Sequence, residues 1–137
     1  MLEVRDLVTE FDTRGGVVRA VNGVSLELKS GEILGIVGES GSGKSVLGYS
    51  MIGLVDPPGR VASGSVRFEG RELVGLPEEE MRALRGKRIA MIFQDPMMTL
   101  NPVLRVDTQM VEAVQAHHRV SRTDALERSR LALEQVG

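Results

Sequence analysis

The stretch EILGIVGESGSGKSVLGYSMIGLV, residues 32–55, decides the fold. Its opening run, EILGIVG, is short and continuously apolar, the pattern of a strand buried on both faces. Glycines follow at once. Then KSVLGYSMIGLV carries apolar residues at helical spacing, Val46, Leu47, Met51 and Leu54. Strand, glycine loop and helix form the context that a phosphate-binding loop requires. The spacing G-x-x-x-x-G-K-S is met by Gly38, Gly43, Lys44 and Ser45, with Glu39, Ser40, Gly41 and Ser42 between. Glycines let the backbone curl until successive N–H groups point inward at a phosphate. The helix starting near Gly43 adds the positive end of its dipole. Lys44 supplies a mobile point charge for the β- and γ-phosphates, and the Ser45 hydroxyl offers one ligand position on Mg²⁺. A Gly/Ser-rich turn with a chance lysine would meet the four fixed positions in under roughly 1% of chains this long. The motif therefore implies a nucleotide site. It leaves the reaction open, since kinases, GTPases, recombinases and transport ATPases share it.

Composition narrows the setting. The 137 residues suit one domain, and 42% of them are apolar, enough for a real core. Charged residues at 26% exclude compositional disorder, and a formal net charge of -2 gives no basic footprint for nucleic acid. Cysteine is absent, which excludes disulfides and thiolate metal sites. The start, MLEVRDLVTEF, mixes charges into its apolar residues and does not read as a secretory signal. The longest apolar runs fall far short of a membrane span of about 20 residues. A soluble cytoplasmic chain is expected, with any membrane role exerted through a partner.

Outside the loop, LEVRDLVTEF reads as a first strand, DTRGG as a turn, and VVRAVNGVSLEL as a second strand closed by KSGE. An antiparallel opening is thus expected ahead of the buried-type strand. In small GTPases and nucleoside kinases the phosphate loop usually follows the first strand. DPPGRVASG (56–64) reads as a loop, and SVRFEGREL as a short strand pair around Glu69-Gly70. LPEEEMRALRG predicts a short helix, with Pro77 near its start, glutamates in its first turn, Arg82 and Arg85 near its end, and Gly86 as a stop. KRIAMIF (87–93) predicts a second buried-type strand, and QDPMMTLNP a loop between prolines. Two helices are expected over 106–118 and 121–137. The second opens with a capping box, Ser121 and Asp124, and Gly137 is a candidate C-cap.

Gln94 lies 50 residues after Lys44, where the second buried-type strand would emerge. A glutamine there can help hold Mg²⁺ and position an attacking water; it can also simply begin a proline turn. The combination GESGSGKS, then GSVRFEGREL, then RIAMIFQDPMMTLNP resembles the ATP-binding subunit of ABC transporters. The last segment is especially similar to the dipeptide/oligopeptide (and nickel) importer branch, where a phrase like IFQDPMTSLNP is typical. Met98-Thr99 here departs from its Thr-Ser pair. The resemblance covers the whole chain and only the N-terminal part of such a subunit.

The resemblance implies an α/β fold: a RecA-like P-loop NTPase core with an N-terminal antiparallel β subdomain and the start of the ABC helical subdomain, truncated. It divides the chain into 1–95, the antiparallel β and P-loop core, and 96–137, the Q-loop and the start of the helical subdomain. Gly38 to Ser45 would be the Walker A loop. Val46 has no hydroxyl and could offer only its N–H. Gln94 would be the Q-loop glutamine, contacting Mg²⁺ and coupling nucleotide to membrane permease subunits. Phe11 would stack on adenine, although a lone Phe at a strand end is also commonly core. The cofactors implied are ATP and Mg²⁺. The implied partners are the permease subunits and a second ABC ATPase subunit, on the cytoplasmic, inner face of the cell membrane.

The family's signature motif, Walker B carboxylates and switch histidine are not found after Gln94. His117 and His118 read as solvated residues at a helix end, and Glu78 to Glu80 as a helix N-terminus. Met97 and Met98 read as gap-fillers. The chain is accordingly expected to bind nucleotide, to hydrolyse it poorly or not at all, and to be marginally stable alone. An alternative is a stand-alone nucleotide-binding module, or a decayed gene product, that pairs with a full-length ATPase. Another P-loop enzyme such as a kinase fits less well, because no acceptor-site motif accompanies the loop.

Overall fold

The computed structural model describes residues 1–94 and 99–137. Two compact units divide the chain, Met1–Arg85 and Gly86–Gly137. The first is built on a four-stranded antiparallel sheet in the order β2-β1-β3-β4. Its strands are β1 (Leu2–Thr13), β2 (Gly16–Leu28), β3 (Gly59–Phe68) and β4 (Arg71–Glu72). Helices α1 (Lys44–Met51) and α2 (Glu78–Leu84) complete the unit.

The expected hairpin of β1 and β2 forms across the Arg14-Gly15 turn, pairing Phe11 with Val18 and Leu2 with Leu28. The expected β3–β4 hairpin turns at Glu69 and Gly70, whose φ values of 52° and 81° suit a tight two-residue connection. The segment 56–64 differs from its expectation as a loop. From Gly59 onward it is strand, because β1 offers it a full ladder, from Phe11 opposite Gly59 to Leu2 opposite Phe68. Gly59 and Gly64 hid that strand from a propensity reading. Gly64 has a φ of 97°, and a Cβ there would stand 2.5 Å from Leu7 Cα and 2.6 Å from the Asp6 carbonyl. It faces the bulge that shifts the register of β1 between Arg5 and Val8.

The sheet buries Val4, Leu7, Val21 and Val66 on the side that also receives Leu47 of α1, Leu73 and Met81. On the opposite side, Glu10 lies between two strand neighbours. It accepts from Arg19 on β2 at 2.9 Å and from Arg60 on β3 at 3.1 Å.

Two expectations of buried strands are corrected. Residues 33–37 and 90–93 carry no strand ladder, and Ile33, Val37 and Ile92 are 97%, 94% and 97% exposed. Such a strand needs partners on both edges and cover on both faces, and the described residues supply neither.

The second unit holds a helical hairpin, α3 (Val106–Gln115) and α4 (Arg122–Glu134). Small Ala125 and Ser129 on α4 are buried, as is Val111 of α3. The Ser121 hydroxyl accepts from the Asp124 N–H at 3.1 Å, the expected cap. The Asp124 carboxylate accepts from that hydroxyl instead of reaching back to a backbone N–H. The helix ends with Gln135 as its C-cap, two residues before the expected Gly137.

Candidate functional site

The phosphate loop is placed by what surrounds its glycines. Gly43 caps the N-terminus of α1 in the left-handed region, with φ 89° and ψ 3°, and no side chain caps the helix. A Cβ at Gly43 would stand 2.1 Å from the carbonyl oxygen of Ala20 on β2. Glycine is therefore required there twice, by φ and by the close approach of the sheet. Gly38 is less constrained: a Cβ there would clash only with the movable Ser42 hydroxyl, with Oγ at 2.7 Å. Gly41 has a φ of 79°. The loop tightens through a bond from the Ser42 N–H to the Glu39 carbonyl at 3.2 Å.

Lys44 leans back over this ring. Its ammonium donates to the carbonyls of Gly38 at 2.7 Å and Glu39 at 2.6 Å, and to Ser42 Oγ at 3.3 Å. The first backbone bond of α1 runs from Leu47 N–H to the Gly43 carbonyl at 2.8 Å. The N–H groups of Lys44, Ser45 and Val46 are thus not spent within the helix, as at any helix start. The Ser45 side chain is exposed and Val46 is half-buried. A cleft of about 400 Å³ lies beside the loop, between Ala20 to Asn22 of β2 and Gly38, Ser42 to Lys44 and Leu47. Ile36 and Val37 line it too, so part of the apolar run serves the loop although it forms no ladder. Helix-start N–H groups unspent within α1, a glycine-only turn and one ammonium are the kinds of donor a polyphosphate requires.

The far end of α1 is held as firmly. Arg85 donates from Nε to the Ile52 carbonyl at 2.8 Å and from Nη2 to that of Gly53 at 2.7 Å, and it pairs with Glu78 at 2.7 Å. Sequence reasoning placed Arg85 only against the dipole of α2. Its cationic fork also caps α1, whose carboxyl end carries the negative pole. A buried hydroxyl pair adds a second anchor: Thr9 Oγ1 and Ser50 Oγ are 2.7 Å apart. No spacing rule exposes either contact, since both join segments distant in the chain.

Phe11 is half-buried, opposite Val18 on β2 and Gly59 on β3. Its ring edge occupies the space above Gly59, where a Cβ would stand 2.5 Å from Cε1 and 2.7 Å from Val55 Cγ1. Ala20, the residue that abuts the loop, is two positions from Val18 on β2. The first unit therefore brings Phe11 and residues 38–46 onto neighbouring strands and one helix. Gln94 is exposed and belongs to the second unit. Asp95 to Met98, the following part of the expected Q-loop, lie outside the described residues. His117 follows α3 and is half-buried against Gly86, where a Cβ would meet its Nε2 at 2.8 Å. It packs there instead of being fully solvated. Among the described residues, no helix is long and apolar enough to cross a membrane.

A glycine loop at the N-terminus of α1, set against an antiparallel sheet, is the arrangement expected of an ABC-type cassette. The ABC transporter family model matches residues 21–136, and the chain belongs to that family. It is 49% identical to the oligopeptide transport ATP-binding protein OppD of Bacillus subtilis, over 100% of this chain and 38% of that protein. To OppD of Escherichia coli it is 47% identical, over 99% of this chain and 40% of that one. The chain thus spans about two fifths of the length of these curated relatives. Among solved structures, a dimeric ATP-binding cassette in a post-hydrolysis state, bound to ADP and Pi, superposes with a TM-score of 0.80. That match covers 98% of this chain and 56% of the other at 22% identity, and it bears on the fold alone.

Proposed function

We infer that the chain binds Mg-ATP and is the nucleotide-holding part of an ABC ATPase that powers import of peptides or related solutes. The observation that carries this reading is the loop itself. Gly43 is fixed in a left-handed cap against Ala20, and the Lys44 ammonium closes a ring of carbonyls at the unspent N–H groups of α1. Residues Gly38 to Val46 would cradle the phosphates through their backbone N–H groups. Lys44 would exchange carbonyl oxygens for phosphate oxygens, and Phe11 would offer its ring to adenine. Ser45 would hold Mg²⁺, and the ion would draw charge from the β- and γ-phosphates. The names of the relatives support a peptide cargo. Membership of the ABC transporter family supports a second ATPase subunit as partner. On this reading the Gln94 loop meets the membrane permease, and the protein works at the cytoplasmic face of the cell membrane.

No residue here is assigned as general base, so the 137-residue chain alone should bind ATP without turning it over. Calorimetric titration with Mg-ATP tests this directly. The unmutated chain should bind, and Lys44→Ala should weaken binding at least about tenfold, because it removes a charge-assisted phosphate contact. Equal binding by the two proteins would defeat the loop assignment. Steady release of phosphate by the purified chain, abolished in Lys44→Ala, would refute the claim that it lacks its own base.

A further inference from the structure

Helix α1 crosses the sheet, and its contacts record the path. Its start abuts Ala20 of β2, Ser50 near its end meets Thr9 of β1, and Val55 just beyond it reaches the space above Gly59 of β3. At the middle of this path sits a polar contact in an otherwise apolar interface. Thr9 is 0% exposed and Ser50 4%. Ser50 Oγ spends its proton on the Val46 carbonyl at 2.7 Å, so Thr9 is the donor in the 2.7 Å contact between the two hydroxyls.

We propose that Thr9 and Ser50 are a positioning pair that sets the adenine-facing ring of Phe11. The proposal rests on the reading of Phe11 as the base-stacking residue. Thr9 and Phe11 are two residues apart on β1 and pair with Val61 and Gly59, so they share the face that α1 covers. Val55 is tied to Ser50 by the turn between them. Gly53 N–H donates to the Ser50 carbonyl at 3.4 Å, and Leu54 N–H to the Tyr49 carbonyl at 2.8 Å. Holding Ser50 on β1 therefore holds Val55 beside the Phe11 ring edge. The other end of α1 is pinned independently, by Gly43 against Ala20.

A valine at position 9 keeps the shape of threonine and loses the donor. A carbon–oxygen contact sits at about 3.3–3.6 Å, so the 2.7 Å approach must open by roughly 0.6 Å. Ser50 keeps its bond to Val46, and no buried hydroxyl is stranded. The helix end, still tied to Arg85 at the Ile52 and Gly53 carbonyls, shifts off β1 with Val55, the ring loses part of its buttress, and the phosphate loop stays in place. The effect should fall on the base and spare the phosphates.

The test measures dissociation constants of the unmutated chain, Thr9→Val, Thr9→Ser and Phe11→Ala for ATP and for inorganic tripolyphosphate, with a thermal midpoint for each. Thr9→Val should weaken ATP roughly five- to tenfold, part of what aromatic stacking on a base contributes. Its tripolyphosphate affinity should be unchanged, and Thr9→Ser should bind both ligands as the unmutated chain does. Val55→Ala should reproduce the Thr9→Val pattern without touching the hydroxyls. Equal weakening of both ligands by Thr9→Val would show a merely structural contact, and no weakening of either would overturn the proposal as directly. Phe11→Ala separates the two readings. If it weakens ATP selectively while Thr9→Val does not, the positioning pair alone is wrong. If Phe11→Ala leaves ATP binding intact, the stacking assignment fails and takes this inference with it.

Discussion

Glycines at positive φ recur along this chain, and their surroundings rank them. Gly64 and Gly70 have similar φ values, 97° and 81°, yet a Cβ at Gly64 would strike the backbone of β1 while one at Gly70 meets nothing within 4 Å. Gly70→Ala should cost about 1–2 kcal/mol, the left-handed penalty alone. Gly64→Ala should cost well over that, roughly 3 kcal/mol or more, because a strand must also move. Urea denaturation of the two variants checks the order, and a smaller loss for Gly64→Ala would remove the bulge contact as its cause. Gly43→Ala belongs with Gly64, since Ala20 blocks it, and should abolish ATP binding even if the sheet still folds. Motif spacing marked Gly43 because the phosphate loop is a local pattern. Gly64 was legible only as part of an apparent loop, because its partner lies nearly 60 residues back in β1.

Hydrogen bonds at the ends of elements make further differences measurable. Ser121→Ala removes the side-chain cap of α4 and should destabilise its unit by about 1 kcal/mol, read as lost helical signal on heating. At the β3–β4 hairpin, burial pushes the Glu72 carboxyl up, but bonds from the Ser65 hydroxyl and from the Val66 and Val74 N–H groups outweigh it, with help from Arg67. The result is a pKa below the ordinary glutamate value of 4.5. A lowered folded value means that this stability is present above 4.5 and is lost as pH falls through the folded pKa. Acid titration should therefore show a loss below pH 4.5 that is reduced in Glu72→Gln; identical acid profiles would remove Glu72 from the account. Helix α2 was legible from its charge order, α4 from the Ser121 cap and α1 from apolar spacing, and so was the β1–β2 hairpin from its alternation and glycine turn. β3 was not, because its ladder comes from β1 and not from its own residues.

Taken whole, the chain exposes the apolar side chains its sequence marks for burial. Ile33, Val37 and Ile92 are almost fully exposed, in segments without a ladder. Such unpaired apolar segments favour association. The purified chain should therefore self-associate with rising concentration, and the pair Ile33→Ser with Val37→Ser should shift sedimentation toward the monomer. No shift would show that these residues do not drive association.

The division between sequence and fold follows from the range of the interactions. The phosphate loop, the helix caps and the hairpin turns depend on residues within a few positions of one another, so residue type and spacing were enough to place them. The sequence alone also marked 32–38 and 87–93 as segments that want partners. Only the tertiary structure decided that β3 pairs with β1, that Ala20 closes on Gly43, and that Arg85 and Thr9 hold the far end of α1. Those contacts join residues 23 to 66 positions apart. Their energy comes from packing and from hydrogen bonds between segments, which no local pattern encodes.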